Sequence, residues 1–264
     1  MPLTLSLNTA AKHVQFVLSR DGVMLCAQTW LTRNDGTELL ATALDHACRR
    51  LGCAARDIER VACVAGPGSF TGIRLALSTA AGLARANGAR QAGLDFMQCL
   101  AATVLANPGE RVGVLIPAQR GWMYSADYVA DEAGLPRLQE RIVLLPEPGG
   151  IDDLDALSRT VHGDLIVPDY LVGAAVTTHR AFFEVAFPLG TRFLPARYDI
   201  PSPAALLALT EAVDWTSDAT LHDVEPLYMR DCDAVGNLDH IARERGEDPA
   251  HAHAELQRLL SAGL

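Results

Sequence analysis

Gly66-Pro67-Gly68-Ser69-Phe70-Thr71-Gly72-Ile73-Arg74 is the stretch whose reading decides the fold of this chain. It follows Val61 to Ala65, an uncharged apolar run of the kind found in strands buried on both faces. It opens a helix expected over Thr71 to Asn87. A glycine-rich turn between a buried strand and a helix is a place where main-chain N–H groups and a helix N-terminus can hold an anion. No Gly-Lys-Ser/Thr follows, so the turn is not a P-loop. On spacing alone it is either an anion cradle or a tight structural turn, with Ser69 or Thr71 capping the helix and touching no ligand.

In the helix itself Gly72, Ala76, Ala80 and Ala84 recur every four residues and make a smooth face that another backbone can approach closely. Ile73, Leu75, Leu77 and Leu83 cover much of the remaining circumference, and Arg74 and Arg85 project to nearly one side. A helix that is apolar almost all round is buried on more than one side. Its own sheet covers one side. Either a partner protein or an internal second layer covers the other. The partner reading places Gly72, Ala76, Leu77, Ala80, Leu83 and Ala84 in an interface.

Outward from this helix the pattern is regular. Leu3 to Leu7 alternates apolar and polar residues, and His13 to Leu18 and Val23 to Leu31 read as further strands, joined by the hairpin signal Asp21-Gly22. Glu38 to Leu51 reads as a helix with Leu40, Leu44, Ala47 and Leu51 on one face and Gly52 at its stop. A short strand over Gln91 to Leu94 and a helix over Phe96 to Ala106 complete the first half. After Asn107-Pro108-Gly109 the order starts again, with strands over Val112 to Ile116, Trp122 to Val129 and Leu138 to Leu145, a helix around Ile151 to Ser158, and a strand at Leu165 to Val167. Pro201 to Val213 is an amphipathic helix with proline in its first turn, where it is tolerated. The expectation is an α/β chain that uses one ββ-β-α-β order twice. Residues 1–107 form an N-terminal lobe, onto which the helix at 201–213 packs back. Residues 108–200 form a C-terminal lobe, and 231–264 a peripheral tail.

Composition narrows the function. Of 264 residues, 49% are hydrophobic, which excludes disorder as the main state. The net charge of −10 argues against a chain that grips a phosphate backbone by itself. Lys12 is the sole lysine, which removes lysine mechanisms everywhere except at the extreme N-terminus. The six cysteines show no Cys-x-x-Cys spacing and read as free thiols of a reducing compartment. The first residues lack the features of a signal peptide, and no run of about 18 apolar residues is present. A cytoplasmic protein with no membrane segment is expected. The eight histidines form no His-Glu-x-x-His and no i, i+4 pair, so no helical zinc site is encoded.

At Gly66–Arg74, with Gly82-Leu83-Ala84 closing the same helix, the sequence resembles the bacterial TsaB (YeaZ-like) family. This family is the dimerisation subunit of the machinery that makes threonylcarbamoyladenosine at position 37 of transfer RNAs. Leu5-Ser6-Leu7-Asn8-Thr9-Ala10 resembles its first strand and Asp-Thr-Ala. Ile116 to Tyr124 resembles its second-lobe hairpin, and Glu225-Pro226-Leu227-Tyr228-Met229-Arg230 its terminal Glu-Pro-x-Tyr-x-Arg. The resemblance covers about residues 3–230. It implies an actin-like (sugar kinase/Hsp70-like, RNase H-like) fold of two related lobes. It implies a non-catalytic scaffold with no metal and no cofactor of its own, paired through N-lobe helices with a catalytic TsaD homologue and joined by an ATPase, TsaE. Transfer RNA is then met only through the complex, and the free chain is either a monomer or a homodimer. The turn residues Gly66, Pro67, Gly68, Ser69, Phe70, Thr71 and Arg74 become candidates for a nucleotide or partner contact.

Three departures from the family pattern bear on chemistry. Asn8 stands where the family has the Asp that actin-like ATPases use near metal and phosphate. Asp35 stands where it has a histidine, and Pro117-Ala118-Gln119 replaces Asp-Ala-Arg. They weaken the competing reading, an autonomous actin-like ATPase, kinase or metallopeptidase. A third reading, a simple homodimeric structural protein, shares the apolar helix but gives the turn no partner-related role.

Overall fold

The computed structural model describes residues 2–33, 35–119, 121–149, 167–187, 190–227, 248 and 251. The helix expected at 151–158, most of the strand at 165–167, all of the 231–264 tail but positions 248 and 251, and the Tyr228–Arg230 end of the terminal signature fall outside the described residues.

The first sheet contains β1 (Leu3–Asn8), β2 (His13–Arg20), β3 (Val23–Leu31), β4 (Ile58–Gly66) and β5 (Arg90–Asp95) in the order β3-β2-β1-β4-β5. β1, β2 and β3 run antiparallel as successive hairpin strands, while β4 and β5 run parallel to β1. Parallel neighbours need crossovers. These are supplied by α1 (Gly36–Arg50) and α2 (Phe70–Asn87). The second sheet repeats the wiring, with β6 (Arg111–Pro117), β7 (Trp122–Ala130), β8 (Pro136–Leu138), β10 (Tyr170–Val172) and β11 (Arg192–Phe193) in the order β11-β10-β6-β7-β8. The run expected as one strand over Leu138 to Leu145 is split. β8 and β9 (Val143–Pro146) both pair with β7, at its two ends.

Burial follows from the pleat. All six residues of β1 are buried, with Leu3, Leu5 and Leu7 on the face covered by α1 and α2. Ser6, between them in the strand, bonds across the opposite face to Thr210 Oγ1 at 2.8 Å. Thr210 belongs to α6 (Pro203–Glu211), which packs with α3 (Phe96–Thr103), β1 and β2. This inner face continues into the second sheet through Met97, Leu100, Val112, Val114 and Tyr128, so one apolar core lies between the two sheets. On the outer side of the second sheet, α4 (Ala174–Thr178) and α5 (Arg180–Ala186) bury Val176, Phe182 and Phe183. These two helices and β10 carried no periodicity long enough to be read from sequence.

Local signals explain the boundaries. Ser69 and Asp95 cap α2 and α3 through their side chains, and Gly88, in the left-handed region at φ 69°, ends α2. α1 buries Leu40, Leu44 and Ala47, whereas Leu51, expected on the same face, sits exposed at its C-cap. Of the cysteines, Cys26, Cys48, Cys53, Cys63 and Cys99 are free, with Cys26 and Cys53 only half-buried. Burial pushes the Cys48 and Cys63 thiols up to about 12, which keeps them protonated. Among the described residues no helix is long and apolar enough to cross a membrane.

Candidate functional site

The glycine-rich turn is packed onto the loop that leaves β1. A Cβ on Gly68 would overlap the Ala10 carbonyl oxygen, and one on Gly72 would overlap that of Thr9, which is why both positions take glycine. Ser69 N donates to Ala10 O at 2.7 Å, and Thr9 Oγ1 donates to Gly72 O at 2.6 Å. The helix terminus uses its own cap: Ser69 Oγ accepts from Gly72 N at 3.3 Å, and Ser69 O accepts from Ile73 N at 2.8 Å. The main-chain N–H groups of Ser69, Gly72 and Ile73 are therefore committed to the β1 loop and to the helix itself. Of the turn's side chains, Phe70 is 48% exposed, and the Arg74 guanidinium lies 3.7 Å from its ring centroid. Arg74 and Thr71 are exposed beside it.

Asn8 ends β1 with no exposed surface. Its Nδ2 donates to Gln15 Oε1 at 2.7 Å, and its Oδ1 accepts from Ala10 N at 3.0 Å. Gln15 Nε2 donates onward to Pro201 O at 2.9 Å and Thr29 Oγ1 at 3.1 Å. A carboxylate at position 8 would set acceptor against acceptor at Gln15, so the amide suits this network where an acid would not. Among the described residues no group of three or more His, Cys, Asp or Glu could hold a metal ion. His13 is half-buried with Nδ1 unpartnered, and burial lowers its pKa, which disfavours its charged form.

The face of α2 is where expectation and structure part. Ala76 and Ala80 are 0% exposed and lie in the core formed with Leu3, Leu5, Leu7, Val61 and Cys63, so neither offers surface to another protein. Gly72 is turned to Thr9. Leu77 and Leu83 are partly buried against the same core, and Ala84 is half-buried. The small-residue face serves the close approach of α2 to its own sheet, and the helix's outer surface is the opposite stripe of Thr71, Arg74, Ser78, Gly82 and Arg85. On that stripe Gly82 meets nothing within 4 Å, and Arg85 pairs with Asp223 at 2.7 Å.

Two polar contacts between distant segments had no sequence signal. Asp95 caps α3 by accepting from Met97 N at 2.8 Å, and its other oxygen accepts from Tyr128 Oη in the second sheet at 3.0 Å. Burial raises its pKa, partly offset by these hydrogen bonds. Asp223 accepts from Gln91 Nε2 at 3.1 Å as well as from Arg85, seating residues 218–224 against β5 and α2. The hydrophobic partners could be inferred from periodicity; these polar ones lie 33 or more residues apart with no local pattern.

Two sheets of the same 3-2-1-4-5 strand order, crossed by helices and joined by one core, define an actin-like, ribonuclease H-like α/β protein. The family model described as TsaD, tRNA N6-adenosine threonylcarbamoyltransferase, matches residues 32–179. The TsaB protein of tRNA threonylcarbamoyladenosine biosynthesis from Escherichia coli K12 is 30% identical over 145 residues. The match covers 54% of this chain and 62% of that relative. Two solved structures from Pseudomonas aeruginosa, YeaZ and a protein with similarity to peptidase YeaZ, superpose with TM-scores of 0.69 and 0.70. They are 21% and 20% identical, and each match covers 87% of this chain and all of theirs. The chain belongs to the tRNA N6-adenosine threonylcarbamoyltransferase (TsaD) family, and it spans about three fifths of the length of its TsaB relative.

Proposed function

We propose that this chain is a non-catalytic scaffold and activating subunit in N6-threonylcarbamoylation of adenosine 37 in tRNAs, paired with a TsaD-type catalytic homologue. A TsaE-type ATPase joins the pair, and the assembly works in the cytoplasm. Residues 1–107 and 108–200 act as its two lobes and 231–264 as a peripheral tail. The observation that carries the reading is the closed packing of the Gly66–Arg74 turn on the β1 loop, with Asn8 sealed into an amide network beside it. A nucleotide-hydrolysing relative of this fold needs a carboxylate and open main-chain donors at these two loops. Here position 8 carries an amide held by Gln15 and Ala10, and the Ser69, Gly72 and Ile73 N–H groups are spent on packing.

The partner surface in this reading is the outer stripe of α2, with Ser78 and Gly82 giving close approach and Thr71 and Arg74 at its N-terminal end. Net charge of −10 leaves tRNA affinity to the partner complex. The test is co-purification and titration of the full chain with the organism's TsaD homologue, followed by a tRNA modification assay. Gly82→Arg should fold normally and weaken the pair by about 100-fold, as expected for a bulky unpaired charge at a close contact. A folded Gly82→Arg chain that binds with unaltered affinity overturns the stripe as the interface. ATP turnover of about 1 s⁻¹ by the chain alone, an ordinary enzymatic rate, overturns the non-catalytic reading.

A further inference from the structure

Cys48 and Cys53 meet where α1 stops. Cys53 N donates to Cys48 O at 2.9 Å and Gly52 N donates to Arg49 O at 3.2 Å, with Gly52 in the left-handed region at φ 70°. These two bonds make the Schellman ending of a helix, in which the residue after the left-handed glycine lies against the residue five positions before it. An apolar contact commonly joins those two positions. Here both carry a thiol.

The main chain holds the two thiols within bridging distance. The 2.9 Å bond, with the covalent lengths that lead from each Cα to the bonded atoms, limits the Cα–Cα separation to about 6.8 Å. A disulfide tolerates up to about 7 Å. The side chains also turn toward one another. Cys53 Sγ donates to Cys48 O at 3.4 Å, and the two thiols are hydrogen-bonded to each other.

The two sulfurs differ in access. Cys48 is 1% exposed, and Cys53 is half-buried. Burial, with the Cys53 thiol beside it, pushes Cys48 up to about 12, so Cys48 keeps its proton. Cys53 is therefore the sulfur that a small solute meets first, and Cys48 waits directly behind it. That is the arrangement of an oxidisable thiol with a resolving cysteine next to it.

We propose that Cys48 and Cys53 form a reversible disulfide across the end of α1 when hydrogen peroxide reaches Cys53. Cys53 gives up its proton and attacks one peroxide oxygen. The O–O bond breaks, and the other oxygen leaves as water with that proton, so that Cys53 becomes a sulfenic acid. The Cys48 sulfur then attacks the Cys53 sulfur. The S–O bond breaks, and the hydroxide leaves as water with the Cys48 proton. Two thiols are oxidised, one peroxide is reduced, and two waters form. The bridge closes the connection from α1 to β4 beside Ala55 and Ile58. The carbonyls of those residues accept from Asn87 Nδ2, at the last residue of α2, at 2.8 and 3.2 Å. Oxidation thus fixes the turn to which that end of α2 is tied.

Trypsin suits the test, because Arg49 and Arg50 lie between the two cysteines. The full chain, reduced and freed of reductant, is treated with hydrogen peroxide, blocked with N-ethylmaleimide and digested for mass spectrometry. The expected result is residues 34–49 and 51–56 held together as one species, two hydrogens lighter than the separate peptides. That species should be lost when the oxidised chain is first exposed to reduced glutathione. Cys48→Ala, which keeps a small apolar residue in the core, should abolish the linked species and let Cys53 pass on to the sulfinic acid. Cys53→Ala should abolish it as well and leave Cys48 a free thiol. Three results in the unsubstituted chain overturn the proposal: both thiols stay free, Cys53 reaches the sulfinic acid while Cys48 is still reduced, or Cys53 bridges to another cysteine or a second chain.

Discussion

The inner and outer faces of α2 each carry small residues at their centre and do different work. Ala76 and Ala80 lie inside at 0% exposure, while Ser78 and Gly82, two positions on, lie outside with open space over Gly82. Both faces are small at their centre, though Arg74 and Arg85 flank the outer one. The inner one is smooth because β4 lies directly beneath it and the β1 loop closes over its first turn. The outer one has no such reason within the described chain. Small residues on a helix therefore mark close approach of a backbone, without saying whose backbone it is.

Substitutions that exchange the two faces test this difference. Ala80→Arg should be the largest effect. It places an unpaired charge in a packed core, which costs about 4 kcal/mol or more, and thermal unfolding should show a fall in melting temperature beyond about 10 °C or no folded state. A folded Ala80→Arg chain with an unchanged transition would mean the inner face is not core. Gly72→Ala comes next. Its methyl group meets the Thr9 carbonyl, and overpacking of this kind costs about 1–3 kcal/mol, measurable as a lower urea midpoint. On the outer face the same arginine has the opposite sign. Gly82→Arg replaces glycine inside an exposed helix and should stabilise the isolated chain by about 0.5–1 kcal/mol, even while it breaks the proposed pairing.

The smallest effect concerns Asp95, which ties α3 to the second sheet. Burial raises its pKa, so the folded chain holds this proton more tightly than the unfolded chain. Its contribution to stability is fully present below the ordinary carboxylate pKa and is lost as pH rises through the raised folded value. Asp95→Asn keeps the cap and a partner for Tyr128. It should flatten stability against pH in that acidic window while changing stability at neutral pH by less than about 1 kcal/mol. Urea midpoints measured across that window check this, and an Asp95→Asn chain that retains the full slope would place the titration elsewhere.

Much of the fold is legible from sequence because it rests on local periodicity. The strands around Leu3, Val14, Val61 and Val114, the helices opening at Ser69 and Ser202, and the repeat of element order after Asn107 all follow from alternation, caps and turn residues. The second half is less legible. β10, α4 and α5 are three to seven residues long, too short to display a period. The break between β8 and β9 depends on where β7 offers pairing partners.

What the amino-acid sequence determined alone is the class of the protein. The turn at Gly66–Gly72, the apolar helix after it and the duplicated strand order specify a two-lobed α/β chain of actin-like fold. What only the tertiary structure decided is which way each surface faces. A four-residue repeat of small side chains is identical whether it meets the chain's own β4 or a foreign helix. Likewise, Asn8 is an amide in either an open or a closed loop until Gln15 and Ala10 are seen to hold it. Periodicity fixes which residues share a face, because that depends on the geometry of one helix. What covers the face depends on segments distant in the chain, and those distances are set only when the whole chain has packed.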